Sequence, residues 1–214
     1  GKDGEQLSYR TFAKEIAAYA KSMKYNYIEL MPIMEYAEDD TWGYDTTGIY
    51  APTSRFGTPV DFMEMVDYLH AKGIGVILVM VPVMDIDCMT YWLEMYHLDG
   101  IRLDNKELIC SFRKVTGDRY ADVMVDLTWN TTGVAKLTEY MKTAPDRREN
   151  FVDYVSAVTG FISEDEEVNA LSHDQVAYGQ GSFIEKMPGG YEDKYADLRT
   201  FYGLNMFLPG KKLM

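Results

Sequence analysis

The stretch Gly100-Ile101-Arg102-Leu103-Asp104 decides the fold class of this chain, together with Leu171-Ser172-His173-Asp174 later in the sequence. Each stretch is a short apolar run that ends at a carboxylate, a pattern typical of a buried strand that gives way to a loop. In a barrel of parallel strands, the carboxyl ends of the strands meet at the mouth, where catalytic residues lie. We therefore predict that Asp104 and Asp174 lie at the mouth of one parallel barrel.

Around these stretches, helix-like and strand-like segments alternate along the chain. The predicted order is helix 8–23, strand 25–31, helix 59–72, strand 76–81, helix 89–96, strand 101–104, helix 111–116, strand 122–127, helix 134–142, an untyped apolar segment 152–161, strand 168–172 and helix 191–207. Alternation of this kind predicts a parallel sheet with helices outside, and right-handed crossovers curl such a sheet toward a barrel. The predicted fold class is α/β, derived from the TIM barrel, with a single domain over residues 1–214.

Helix boundaries and faces follow from local patterns. Thr58 is predicted to cap the helix that starts at Pro59, Asp61 to complete a capping box, and Gly73 to end that helix. Two helices show apolar stripes at helical spacing that predict their buried faces. The stripes are Phe12, Ile16, Tyr19, Ala20 and Met23 in the first helix, and Tyr191, Tyr195, Leu198, Tyr202 and Met206 in the last.

Composition excludes several classes of partner. The 214 residues carry a net charge of −13, with an isoelectric point near 4.6. Such a charge disfavours binding to nucleic acid or to anionic lipid, but a neutral polymer remains compatible. No apolar run is long enough for a membrane span, and residues 1–6 have no signal-peptide core. We expect a cytoplasmic protein, or a piece of a longer one, without nucleic-acid or membrane partners.

Cofactor and metal chemistry is not indicated either. Cys88 and Cys110 form no metal-binding pattern, and we interpret them as two free thiols. The chain has three histidines, which are scattered and form no metal site. We predict no metal and no cofactor.

Several blocks resemble one known family in a consistent order. The blocks are Glu29-Leu30-Met31-Pro32-Ile33-Met34-Glu35, Trp42-Gly43-Tyr44, Tyr50-Ala51-Pro52-Thr53-Ser54-Arg55-Phe56-Gly57-Thr58-Pro59, Tyr96-His97-Leu98-Asp99-Gly100, Met187-Pro188-Gly189 and Pro209-Gly210-Lys211-Lys212-Leu213, besides the two that end at Asp104 and Asp174. They resemble the α-amylase superfamily, and within it the bacterial-type 1,4-α-glucan (glycogen) branching enzymes. The resemblance implies a TIM barrel that cleaves α-1,4 bonds with retention and transfers the glycosyl unit to a 6-hydroxyl.

The resemblance also implies a role for each candidate residue. Asp104 matches the nucleophile, and Arg102 matches the arginine that keeps this carboxylate ionised through a charge-assisted hydrogen bond. His173 and Asp174 match residues that bind sugar hydroxyls and stabilise the transition state. Tyr44, in the block that starts at Trp42, matches a tyrosine that stacks on the same sugar. The candidate catalytic residues are therefore Arg102, Asp104 and Asp174, and the candidate substrate-binding residues are Trp42, Tyr44 and His173.

Structural alternatives stay open for these positions. Arg102 and Asp104 could form an ion pair at a strand end with no catalytic role. His173 could be a structural histidine whose hydrogen bonds are satisfied, and Tyr44 could be an aromatic residue of the core.

Other positions depart from the family pattern. Val79 and Met84 stand where the resemblance implies an aspartate and a sugar-binding histidine. The general-acid block has no match, and neither Glu107 nor the acids of 122–126 have its context. The connection at 82–88 is short, fewer than eight strands can be counted, and a segment is missing between Asp104 and Trp129. We therefore expect a shortened or incomplete barrel. We also expect little or no turnover, because general acid catalysis alone raises the reaction rate by a factor of ~10²–10⁴.

Two classes of function follow. The first is a branching-enzyme-type domain that acts on α-glucan such as glycogen or amylose, with activity reduced by the missing acid. The second is a non-catalytic domain, degenerate or engineered, that binds glucan or serves only as a scaffold; alternatively, the sequence omits segments that the molecule possesses. An incomplete barrel exposes sheet edges, so we also predict self-association through those edges.

Overall fold

A computed structural model of the chain describes residues 6–81, 84–125, 139–140, 142–148, 150, 152, 167–169, 182, 184–207 and 211–213. The chain divides into two compact units, Gly1–Leu127 and Thr128–Met214, and each is treated by itself. The single domain expected over 1–214 stays a prediction.

The first unit is built around a parallel sheet. Its elements are α1 (Tyr9–Met23), β1 (Tyr27–Leu30), β2 (Met34–Tyr36), β3 (Thr46–Pro52), α2 (Pro59–Ala71), β4 (Gly75–Val79), α3 (Ile86–Tyr96), β5 (Gly100–Arg102), α4 (Lys106–Thr116) and β6 (Met124–Val125). The sheet has the order β1-β4-β5-β6, and every neighbouring pair is parallel. The described sheet thus has half of the eight strands that close a TIM barrel. The predicted parallel α/β architecture is confirmed.

The two faces of this sheet have different surroundings. Leu30, Val76, Leu78 and Ile101 lie on one face and belong to the same buried cluster as the apolar side chains of the helices. The opposite face carries Glu29, Ile77, Val79 and Arg102, because side chains alternate along a strand and paired residues share a face. Helices therefore cover one face, as on the outside of a barrel. Arg102 lies on the face that a barrel turns inward.

The boundaries of α2 agree with the sequence prediction. The Thr58 side chain accepts a hydrogen bond from the Asp61 amide, and the Asp61 carboxylate accepts one from the Thr58 amide, which completes the capping box. Gly73 follows the helix with a φ of +66°, in the left-handed region that favours glycine. Because both signals are local, the sequence is sufficient to predict them.

The buried stripe predicted for α1 is partly wrong. Its buried residues are Tyr9, Ala13, Ala17 and Ala20, whereas Phe12 and Ile16 are only partly buried. Tyr19 and Met23 are about half exposed. The helix packs against α2, and burial of its small residues is typical of closely packed helices.

The second unit contains β7 (Glu167–Asn169), α5 (Tyr191–Phe207) and β8 (Lys211–Leu213), with β7 and β8 paired in parallel. The bounds of α5 are as predicted, but its stripe is wrong: Phe201 and Asn205 are buried, while Tyr191 is exposed. Both Asp197 oxygens accept from the Arg148 guanidinium, at 2.9 and 2.5 Å. The predicted segment 152–161 and most of helix 134–142 lie outside the described residues.

The helix predicted from residue 111 begins earlier, at Lys106, since the Asn105 side chain caps it. β2 and β3 form an antiparallel hairpin that the sequence patterns did not indicate. Within the described residues, no helix combines the length and the apolar character that a membrane span needs.

Candidate active site

Asp104 lies two residues after the last residue of β5. Ile101 and Leu103 before it are fully buried, and Asn105 after it caps α4 by accepting a hydrogen bond from the Leu108 amide at 3.0 Å. The backbone at Asp104 is therefore held on both sides. Its carboxylate is exposed and makes no hydrogen bond or ion pair with any residue that the structure describes. Such a carboxylate is accessible to a ligand.

Arg102 reaches across the sheet, away from Asp104. Its Nη1 atom donates a hydrogen bond to Glu29 Oε1 on β1 at 3.1 Å, and the two side chains are only 10% and 11% exposed. β4 lies between these strands, with Ile77 in register with Glu29 and Val79 in register with Arg102. This ion pair joins the first and third strands of the sheet on its inward face.

The pairing of Arg102 with Glu29 contradicts the alternative in which Arg102 forms an ion pair with Asp104. An ion pair between Arg102 and Asp104 does not form among the described residues, and neither does the expected charge-assisted hydrogen bond. Val79, where the resemblance implies an aspartate, places an apolar side chain beside Arg102 and offers no acceptor. The guanidinium is instead bonded to Glu29.

A hairpin rises at the same edge of the sheet as Asp104. The connection from β1 to α2 contains β2 and β3, and it starts at the carboxyl end of β1. Since β1 and β5 are parallel members of one sheet, their carboxyl ends lie at the same edge. Trp92 anchors the hairpin to α3, because its Nε1 donates to the Ile49 carbonyl at 2.7 Å.

The tip of this hairpin, residues 37–45, carries both candidate aromatic residues and is called the aromatic loop here. Trp42 is 45% exposed and Tyr44 is 41% exposed, so Tyr44 is not a core residue. Trp42 has a φ of +55° and Gly43 a φ of +85°. A Cβ atom at Gly43 would lie 2.0 Å from the Pro32 carbonyl oxygen, so only glycine fits this close approach.

An apolar cavity of about 580 Å³ lies behind Trp42. Its wall includes Tyr9 and Phe12 of α1, Pro32 after β1, and Phe56 before α2. The Tyr9 hydroxyl donates to the Thr53 carbonyl at 2.8 Å, and burial raises the pKa of this tyrosine well above its ordinary value. Trp42 thus has an apolar chamber on one side.

The cysteines fit the prediction of two free thiols, with Cys88 buried and Cys110 exposed. Cys88 Sγ donates a hydrogen bond to the Ile49 carbonyl at 3.4 Å. Burial raises the pKa of the Cys88 thiol to about 12. In the described part of the chain, no group of three or more His, Cys, Asp or Glu side chains could hold a metal ion.

His173 and Asp174 lie outside the described residues, so their predicted approach to Asp104 stays a prediction. The structure adds a residue that the sequence patterns missed, Glu29. One signal could have revealed it, because a carboxylate inside the short apolar strand Tyr27–Leu30 needs a positive partner.

Curated relatives of the chain carry one name. The chain is 29% identical to the 1,4-alpha-glucan branching enzyme GlgB of Halothermothrix orenii, over all of the chain and 49% of that enzyme. It is 29% identical to the enzyme of the same name from Bacillus cytotoxicus, over all of the chain and 46% of that enzyme. The chain is homologous to GlgB branching enzymes. The resemblance found in its motifs is thereby confirmed, and no protein-family model matches the chain.

The match to GlgB is partial in two ways. The chain spans about half the length of the GlgB relatives it matches. In addition, the match to the Halothermothrix orenii enzyme extends over 308 residues, whereas the chain has 214, so GlgB contains internal segments that this chain lacks. These gaps fit the short connection at 82–88 and the missing segment after Asp104.

Solved structures show the fold of the chain. The cyclic alpha-maltosyl-(1→6)-maltose hydrolase of Arthrobacter globiformis superimposes with a TM-score of 0.75 at 15% identity, over 96% of the chain and 64% of that protein. An Anoxybacillus alpha-amylase gives a TM-score of 0.71 at 16% identity, over 97% of the chain and 62% of that protein. The fold is therefore that of the α-amylase barrels, and the four described strands of the first sheet fit an incomplete barrel.

Proposed function

We propose that this chain is a branching-enzyme-type domain that binds α-glucan at the edge shared by Asp104 and the aromatic loop. One observation carries the proposal: the exposed Asp104 carboxylate follows β5, and the loop with the exposed rings of Trp42 and Tyr44 belongs to the connection that leaves β1 at the same edge of the sheet. Aromatic rings offer flat apolar faces to sugar rings, and carboxylates accept hydrogen bonds from sugar hydroxyls. The GlgB names of the relatives support α-glucan as the ligand class.

In this proposal the other candidate residues keep their roles from the resemblance, and only the role of Arg102 changes. Asp104 attacks the anomeric carbon, while Arg102, paired with Glu29, supports the site from the inward face of the sheet. His173 and Asp174 bind the hydroxyls of the same sugar, while Tyr44 and Trp42 stack on sugar rings. The location of the domain is proposed to be cytoplasmic.

We infer that glycosyl transfer by this chain is very slow. Retaining cleavage needs a second carboxylate about 5–5.5 Å from the nucleophile to protonate the leaving oxygen. No residue of the chain is assigned that role, and Val79 and Met84 are buried apolar side chains where polar groups are implied. Without the acid, a rate loss of at least ~10²–10⁴ is expected.

Calorimetry with maltoheptaose tests the binding proposal. Trp42→Ala and Tyr44→Ala should each weaken binding by about five- to tenfold, the effect of losing about 1 kcal/mol of aromatic contact. Tyr19→Ala is the matched control, because Tyr19 is an exposed tyrosine on α1, outside the aromatic loop. Equal affinity in all variants would refute this binding site.

A branching assay with amylose tests the activity proposal separately. Debranching of the product should reveal no new α-1,6 bonds at high protein concentration, or a trace that Asp104→Asn abolishes. Turnover comparable to that of a full-length GlgB enzyme would contradict the inference. It would show that a general acid is present after all.

The scaffold reading is the second candidate, and the loss of polar groups at Val79 and Met84 favours it. If wild-type protein gives no heat with maltoheptaose, the scaffold function replaces glucan binding.

Self-association is compatible with either proposal, since β1 and β6 are edge strands of the described sheet. Light scattering should then show a mass above 24.5 kDa, and a clean monomer would exclude self-association.

A further inference from the structure

The Arg55 guanidinium donates hydrogen bonds to several groups of the hairpin. Its Nε donates to Asp39 Oδ1 at 2.6 Å, and its Nη1 donates to Glu35 Oε1 at 2.7 Å. Nη1 also donates to the Tyr36 carbonyl at 2.9 Å, and Nη2 donates to the Ala37 carbonyl at 3.0 Å. The guanidinium lies 4.1 Å from the centre of the Tyr36 ring. One side chain thus contacts four residues of the segment 35–39.

Glu35 is itself held in place from the α2 side. Its Oε2 accepts from the Ser54 amide at 2.9 Å, and its Oε1 accepts from the Thr53 hydroxyl at 3.0 Å. The Ser54 amide is the main cause that lowers the pKa of Glu35, so this carboxylate is charged near neutral pH. The hydrogen bond to Asp39 raises the pKa of Arg55. Opposite charges therefore meet at the start of the aromatic loop.

The segment that Arg55 holds leads directly to the exposed rings. Asp39 begins a short 3-10 helix, Asp39–Thr41, and Trp42 is the next residue. The Thr41 hydroxyl donates to the Glu38 carbonyl at 2.8 Å, and the Tyr44 amide donates to the Thr41 carbonyl at 3.0 Å. These two hydrogen bonds close the short turn that connects Asp39 to Trp42 and Tyr44. We therefore expect a shift of Asp39 to move both rings.

On the basis of the proposed glucan-binding function, we propose that Arg55 is a positioning residue that fixes the aromatic loop for stacking on sugar rings. Preorganised rings bind without first paying the entropy of ordering the loop. The planar fork of arginine is essential, because one lysine ammonium cannot bond Asp39, Glu35 and two carbonyls in this geometry. A purely structural Arg55 would stabilise the hairpin without setting the place of Trp42 in the folded protein.

The experiment uses ¹⁹F NMR of protein labelled with 5-fluorotryptophan. The chain has three tryptophans, Trp42, Trp92 and Trp129, and Trp42→Phe assigns the loop signal. In Arg55→Lys, the Trp42 resonance should move or broaden, while that of the fully buried Trp92 should stay. Arg10→Lys is the matched control, because it also breaks arginine–carboxylate pairs, to Asp61 and Glu64, away from the loop.

An unchanged Trp42 resonance in Arg55→Lys would overturn the positioning role. If Arg55→Lys does not fold, Asp39→Asn replaces it as the test. Asp39→Asn removes one exposed carboxylate and leaves the Arg55–Glu35 contact, so it should move the Trp42 resonance by less. Maltoheptaose binding by folded Arg55→Lys should be about tenfold weaker, the loss of about one ring contact. If wild-type protein binds no maltoheptaose, the glucan function fails while the NMR result still decides whether Arg55 fixes the loop.

Discussion

The parallel sheet has one edge where its strands begin and another where they end, and the carboxylates at these two edges have opposite surroundings. At the amino-terminal edge, Asp99 Oδ2 lies 2.7 Å from His70 Nε2 and accepts from the Val76 amide at 2.7 Å. At the carboxyl-terminal edge, Asp104 is exposed and has no hydrogen-bonded partner among the described residues. The two residues are only five positions apart in the sequence, on either side of β5.

The two carboxylates therefore differ in role: Asp99 stabilises the fold, whereas Asp104 is left accessible for binding. Asp99 ties α2 to the starts of β4 and β5, as expected for the edge of a barrel that serves stability. Asp104 contributes no such contact, so its carboxylate stays accessible. Substitutions on either side of β5 should therefore have different consequences for stability.

The largest effect is expected at Glu29, which lies between the two edges. Glu29→Gln should lower the free energy of unfolding by about 3–5 kcal/mol, because it removes one partner of a buried ion pair with Arg102. Urea denaturation measures this, with Glu15→Gln, an exposed substitution on α1, as the control. A loss no larger than that of Glu15→Gln would mean that the pair contributes little to the sheet.

A smaller effect is expected from the contrast between Asp99 and Asp104 themselves. Asp99→Ala should lower the free energy of unfolding by about 1–3 kcal/mol, since it leaves the Val76 amide without its acceptor. Asp104→Ala should change it by less than about 0.5 kcal/mol, as is usual for an exposed residue. Thermal or urea unfolding of both variants provides the measurement. Equal losses would erase the distinction between the two edges.

The smallest effect concerns the pH dependence of the hairpin. The folded state lowers the pKa of Glu35, so this group binds fewer protons in the folded than in the unfolded chain. Its contribution is complete above the unfolded pKa, about 4.3, and is lost as pH falls through the lower folded value. Glu35→Gln should therefore flatten the stability profile below about pH 4.3 relative to wild type. Parallel profiles for the two proteins would contradict a role for the Glu35 charge.

Local signals in the sequence were sufficient for much of the first unit. The capping box at Thr58 and the left-handed glycine at Gly73 bound α2, and the apolar run of β4 is buried as predicted. Each depends on neighbours within a few residues. Such signals do not need the rest of the fold.

Pairing between distant residues could not be predicted in the same way. Glu29 and Arg102 are 73 positions apart, and either could have had another partner. The large apolar residues of α1 suggest one buried face, whereas tertiary packing buries the alanines. The hairpin has little local signal, because β2 is three residues long and its register with β3 shifts twice.

The contrast between the two cysteines has a practical consequence for experiments on this protein. Burial raises the pKa of the Cys88 thiol to about 12, so very little of the reactive thiolate forms there at pH 8. Cys110 is exposed on α4, the helix that begins just after Asp104. A maleimide dye or spin label should therefore attach to native protein at Cys110 in preference to Cys88. The natural sequence thereby supplies a reporter position close to the proposed glucan site.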